Sequence, residues 1–188
     1  TDGCELPTRS IQINIEVPRP GETYPVQYTF PNKPLTLNAR NFGAEVLWIP
    51  PVYLDNPTAL RPIFENSTIG NQLYRIQITS AAGCLTIDTQ LVKTIKEITI
   101  YVPNAFTPNN DQLNDRVNPI TEGIKTLYSF RIFNRWGLEL FSWVPGKPGW
   151  DGTFKGLPQQ PGVYVWQFRG LGIDEKIFER KGVITLIR

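Results

Sequence analysis

Residues 101–115 read YVPNAFTPNNDQLND, and this stretch divides the chain. A short apolar run, residues 98–102, is cut by Pro103. Five Asx residues then crowd into seven positions: Asn109, Asn110, Asp111, Asn114 and Asp115. Pro103 and Pro108 flank one aromatic, Phe106. Proline fixes φ and removes a donor, while Asn and Asp close short turns on their own backbone. This mixture predicts a strand, an aromatic anchor and a structured loop at the start of a domain.

Downstream, residues 127–134 alternate, which predicts a strand with Tyr128, Phe130 and Ile132 on one face. Asn134-Arg135-Trp136-Gly137 is a turn in which Gly137 is free to take positive φ, and residues 138–143 return as the second arm of a hairpin. PGKPGWDG, residues 145–152, is a loop ending on Trp150, with the Asp151 carboxylate placed to cap neighbouring N–H groups. Residues 162–169 (GVYVWQFR) put Tyr164, Trp166 and Phe168 on one face, and residues 177–187 close the domain. With a short strand near Val117, about seven strands fit, the count of a small sandwich.

Upstream, residues 21–97 predict a second unit of the same class. Short β-prone runs at 26–30 and 35–39 flank the turn Pro31-Asn32-Lys33-Pro34. Trp48 sits in a run that stops at Pro50-Pro51 and reads as a core residue; a run at 60–64 is interrupted by Pro62. LYRIQIT, residues 73–79, sets Tyr74, Ile76 and Ile78 on one face, and residues 85–92 close the unit. The expected fold class is all-β, two consecutive immunoglobulin-like β-sandwiches, with residues 1–20 the tail of a preceding repeat or a first strand. Gly3-Cys4 and Gly83-Cys84 each precede a strand, 80 residues apart, which reads as a repeat. They are also the only cysteines, so Cys4–Cys84 is the only internal disulfide open to the chain.

Composition narrows the function classes. The chain has 188 residues, 40% hydrophobic and 12% aromatic, with 15 Gly and 17 Pro, which is globular and turn-rich. No apolar run nears the ~20 residues of a membrane helix, so no direct membrane span is expected. The opening TDGCELPTRS has neither a basic start nor an apolar core; no signal peptide is read in it, and if the protein is exported its signal is expected upstream or elsewhere. Net charge is +2 and the basic residues are scattered, so no nucleic acid is expected as a partner. There is no histidine, which removes the usual general base and zinc ligand, and the 17 acidic residues form no paired-carboxylate motif. No enzyme is expected and no catalytic residue is assigned.

Two family resemblances follow. Over residues 20–97, Trp48-x-Pro50, Asn56-Pro57, Tyr74-x-Ile76-x-Ile78-Thr79 and Gly83-Cys84 occur in an order that resembles the polycystic-kidney-disease-like (PKD-like) repeats of large bacterial surface proteins. Such repeats often carry an early cysteine; Phe30 stands near that place here. Over residues 98–188 six motifs occur in order: residues 103–109 (PNAFTPN), Asn114-Asp115, 130–137 (FRIFNRWG), 149–156 (GWDGTFKG), 161–164 (PGVY) and 181–188 (KGVITLIR). This segment resembles the gliding-motility-associated C-terminal domain, the type B sorting domain of the type IX secretion system. The family loop often has glycines where Asn110 and Gln112 stand; Asn110 tolerates positive φ fairly well and Gln112 less so, which counts against a role that needs it at both positions.

The resemblance implies a large cell-surface protein, an SprB-like gliding adhesin, exported through the type IX translocon. It also implies attachment at the outer membrane through an SprF/PorP-like barrel protein. Candidate partner-recognition residues are Asn104, Phe106, Asn109, Asp111, Asn114, Asp115, Arg135, Trp136, Trp150, Asp151, Lys181 and Arg188. Residues 183–187 are a candidate edge strand for pairing with a partner. No cofactor is expected; Asn109, Asp111 and Asp115 are calcium candidates, set against a self-capping Asx network. The rival from another class is a carbohydrate-binding module with Trp136, Trp143 and Trp150 as a sugar-stacking platform, which requires the three rings on one exposed face.

Overall fold

The computed structural model describes residues 19–188. Among them the fold is all-β, two immunoglobulin-like sandwiches, with no helix and so no helix long and apolar enough to cross a membrane. By contacts the chain divides into two compact units. One is built on Leu35–Glu65 and Gln72–Leu91; the other takes Val92–Arg188 with Gln27–Pro34 and Asn66–Asn71.

The first sheet runs β1 (Gln27–Thr29), β6 (Leu85–Thr94), β5 (Gly70–Thr79), β3 (Glu45–Ile49), with β2 (Leu35–Thr36) and β4 (Ile63–Phe64) as a separate ribbon. Tyr74, Ile76 and Ile78 are fully buried, as the alternation of LYRIQIT predicts. Trp48 is fully buried too and meets Tyr74 edge-on, 5.7 Å between centroids, while its indole N–H donates to the Ala59 carbonyl at 3.0 Å. Strand β3 ends before Pro50, which follows a cis peptide bond. Cys84 is half-buried; Cys4, its expected partner, and the strand expected at 11–17 lie outside the described residues.

Strand β6 holds the surprise of this unit. Its buried row is Thr86, Asp88, Gln90, Val92 and Thr94, polar at every place but Val92, while Ile87 and Leu91 are half-exposed. The Asp88 carboxylate, fully buried, accepts from Arg40 Nη2 at 2.6 Å and Nε at 2.9 Å, from the Glu22 N–H at 2.8 Å and from the Tyr24 hydroxyl at 2.8 Å. Four donors converge on one group, which is how a buried charge is made tolerable.

The second unit is built on a five-stranded sheet, in the order β11 (Glu139–Ser142), β10 (Ile124–Phe133), β14 (Gly162–Gly172), β15 (Ile177–Leu186), β8 (Ala105–Phe106). Two-stranded ribbons pair β7 (Thr99–Tyr101) with β9 (Ile120–Glu122) and β12 (Thr153–Phe154) with β13 (Leu157–Pro158). The strand expected near Val117 is a single bridge between Val117 and Trp150. The core gathers Val102, Phe106, Val117, Phe130, Ile132, Leu140, Trp150, Tyr164, Phe168, Ile184 and Leu186.

Two expectations are corrected here. Tyr128 does not share a face with Phe130 and Ile132: it is 49% exposed, because the β10–β14 register slips between Leu127 and Ser129. Such a bulge inserts an unpaired residue and resets the alternation. Residues 183–187 are not a free edge either. Strand β15 pairs antiparallel with β14 and, at Thr185 and Leu186, parallel with β8. Thr185 and Ile187 donate to the carbonyls of Asn104 and Phe106 at 2.9 and 3.0 Å, so the donors a partner strand would need are taken from within the chain.

Candidate functional site

The six landmark motifs of the second unit separate into two groups. Most of their large side chains build the core. Phe106 and Trp150 are each 2% exposed, with centroids 5.2 Å apart, and Trp150 meets Tyr164 at 5.0 Å. The Trp150 indole donates to the Thr153 carbonyl at 2.8 Å, and the Tyr164 hydroxyl donates to the Gln160 carbonyl at 2.6 Å. Burial raises the pKa of that phenol. Asp151 acts as predicted: its carboxylate accepts from the Thr153 N–H at 3.0 Å and hydroxyl at 2.7 Å, with Arg116 3.5 Å away. The Asn104 carbonyl serves the strand pairing by accepting from the Thr185 N–H, and Arg188 Nη2 donates to the Gly152 carbonyl at 3.3 Å. Phe106 and Trp150 are therefore packing residues with no surface to offer a partner. With Trp150 inside and Trp143 half-buried against the core, the three-ring sugar platform does not exist.

The Asx loop is surface, and it is closed on itself. Asp115 accepts from the backbone N–H of Asn110 at 2.7 Å and of Gln112 at 2.8 Å. Asp111 accepts from the Leu113 N–H at 2.7 Å and from the Asn109 side-chain amide at 2.8 Å; Asn109 accepts in turn from the Asp111 N–H at 3.1 Å. The Asn109 amide and the Leu113 N–H hold the Asp111 carboxyl below its usual range. Each of these oxygens accepts within the loop, as the self-capping Asx network requires. Among the described residues no group of three or more His, Cys, Asp or Glu is placed to hold a metal. The loop nonetheless adopts positive φ at Asn110 (65°), Gln112 (71°) and Asn114 (53°). The expectation that Gln112 would resist this conformation is wrong, since the paired bonds to Asp115 secure both turns.

What remains exposed lies at one end of the five-stranded sheet. Asn134 Oδ1 accepts from the N–H groups of Trp136 and Leu138, both at 3.0 Å, and Gly137 takes φ 83°, so the hairpin tip is fixed. Trp136 on that tip is 75% exposed, and the Arg135 guanidinium lies 4.1 Å from its ring centroid. A depression of about 200 Å³ beside them is lined by Gln159, Gln160, Pro161 and Val163 among others. Register then sets out the outward face row by row. Phe133, Val165 and Val183 stand side by side on β10, β14 and β15; Arg131, Gln167 and Lys181 form the next row, Ser129, Arg169 and Glu179 the one after. This face carries Lys181 from the expected set and Val183 from the expected pairing strand, whereas Phe133, Val163 and Val165 were not foreseen. For Val163 and Val165 the signal was present in GVYVWQFR, which is apolar in both phases at its start.

No curated protein matches the chain. Solved structures similar to it include fibronectin(III)-like modules of Clostridium thermocellum CbhA, at 12% identity, TM-score 0.27, covering 86% of this chain and 88% of that one. A tetra-tandem repeat from the extending region of a large adhesion protein matches at 10% identity and TM-score 0.29, covering 84% of this chain. Latent PorU from Porphyromonas gingivalis matches at 11% identity and TM-score 0.31, covering 90%. The chain spans 42% and 19% of the lengths of those last two. Residues 100–186, which include the whole five-stranded sheet and all of the six motifs except residues 187 and 188, match the model of the CHU_C Type IX secretion signal domain, the kind of domain those motifs resemble.

Proposed function

We propose that this chain is the C-terminal part of a large surface protein, an adhesin of gliding-type bacteria. Its second unit directs export through the type IX machinery, and an SprF/PorP-like outer-membrane barrel then holds the passenger at the surface. The observation that carries the reading is the secretion-signal match over residues 100–186. The first unit is passenger, a PKD-like repeat of the stalk. No chemistry of its own is expected of the chain: it has no histidine, and the buried carboxylate among the described residues, Asp88, is engaged by Arg40. Its role is delivery and attachment.

The test is a fluorescent reporter joined ahead of residues 1–188 in a bacterium with a working type IX system. Surface signal is expected from that fusion and not from a fusion to residues 1–97. Equal delivery by both would overturn the reading. In a strain lacking the barrel partner, the exported reporter is expected in the medium rather than on cells; undiminished retention would remove the attachment half of the proposal.

A further inference from the structure

The geometry points to the outward face of the second unit's sheet, at its Trp136 end, as a docking surface for a protein segment that presents an apolar ridge bordered by carboxylates. Antiparallel sheets that face only water carry polar residues on the outer side. Here Val163 and Val183 are 57% and 58% exposed, with Phe133 and Val165 between and beside them. Strand spacing makes this row about 10 Å wide. A lone exposed valine follows from β-propensity alone. A contiguous set across three strands, with a 75% exposed tryptophan beyond it, is the composition of an interaction patch.

Charge selects the partner. The patch is bordered by Lys181 on one side and Arg135 on the other, and neither has a carboxylate within ion-pair distance among the described residues. The nearby acids are engaged: Glu139 with Arg131 at 3.7 Å, Glu179 with Arg169 at 3.0 Å. No acidic residue lines the depression beside Trp136. The guanidinium of Arg135, laid over the indole, keeps its planar edge of donors for a carboxylate. An acidic, apolar segment therefore finds both halves of its chemistry, and a basic one is repelled. This inference stands apart from the export reading and would survive its failure.

The probe is an acetylated heptapeptide alternating Glu with Leu and Val, titrated into the 15N-labelled 188-residue chain, with Gln-for-Glu and Lys-for-Glu peptides as controls. Saturable shifts are expected at the Trp136 indole N–H and at the amides of Phe133, Val163, Val165, Lys181 and Val183. The Gln peptide is expected to bind at least tenfold more weakly. Lys181→Glu, on an exposed side chain, and Arg135→Glu should each weaken the Glu peptide severalfold while leaving the rest of the spectrum unchanged. Higher salt should weaken it as well. Shifts that never saturate, shifts that map elsewhere, equal binding of the Gln peptide, or broadening that depends only on protein concentration would each overturn the inference.

Discussion

Gln112 shows how much a single residue's conformation depends on what its backbone bonds to. An L-residue at positive φ costs about 1–2 kcal/mol. It is held there by the Asp115 carboxylate, which ties the amides of Asn110 and Gln112 together. Gln112→Gly is expected to leave stability unchanged or raise it by up to about 1 kcal/mol, because relief of strain competes with added chain entropy. Gln112→Val should lower it; chemical denaturation of the two variants checks both signs. Asp88 supplies the pH dependence. Burial alone would raise its pKa, but Arg40, the Glu22 N–H and the Tyr24 hydroxyl outweigh burial and hold it below the ordinary value. A carboxyl with a depressed folded pKa contributes stability that is present above its unfolded value, about 3.9, and is lost as pH falls through the lower folded one. Tyr24 is pushed up to about 12, first by burial and then by its bond to Asp88. The stability it adds is full below about pH 10 and disappears as pH rises through the folded value. Thermal unfolding across pH 2–7 should therefore show an acid loss that Asp88→Asn flattens. Arg40→Ala at pH 7 should cost about 3 kcal/mol by stranding the carboxylate.

At the scale of the element, β15 decides whether the second unit exists. Its inward row is Gly182, Ile184 and Leu186, and Gly182 lacks a side chain because the Trp166 ring lies across it; a Cβ there would sit 2.5 Å from Trp166 Cζ2. Gly182→Val should cost about 1–3 kcal/mol through overpacking, read as a lowered unfolding midpoint. Removing residues 181–188 takes away Ile184, Leu186 and the pairing with β8 together. The truncated chain is expected to lose the near-ultraviolet dichroism of the Trp150 cluster, so failure to export it reports unfolding rather than lost recognition. The sequence made strands of this kind legible: LYRIQIT and the inner phase of GVYVWQFR are clean alternations, and a tryptophan before a turn pair was bound to pack under it. It misled where alternation was broken or double. Nothing in residues 124–133 marks the slip that turns Tyr128 outward. In β6 Leu85, Ile87 and Leu91 share the outward phase, while the inward one is polar except at Val92, so hydropathy points the wrong face inward. Only the convergence of Arg40, Tyr24 and Glu22, 48 to 66 residues away, explains why Asp88 is inside. The candidate site was half legible for the same reason: aromatic landmarks such as Phe106 and Trp150 announce themselves whether they pack or bind, and only burial separates the two.

For the whole molecule, delivery is expected to depend on the second unit alone. Trp48→Ala should destabilise the first unit by about 3–5 kcal/mol through the cavity it leaves. Surface appearance of a reporter fused to that variant is expected to match the wild type, measured by fluorescence on intact cells; a large fall would mean that the passenger unit takes part in sorting. The parallel pairing of β8 with β15 bears on time as well as shape. Ala105 and Thr185 are neighbours in space and 80 residues apart in sequence. A chain that emerges N-terminus first presents β8 long before its neighbour exists, and the closure of so long a loop is slow. During that interval Phe106 has Trp150 to pack against but lacks the strand pairing that fixes β8 in the sheet. Synthesis from the N-terminus thus completes this sheet only once residue 186 is available, and the five-stranded order closes last at its β8 edge.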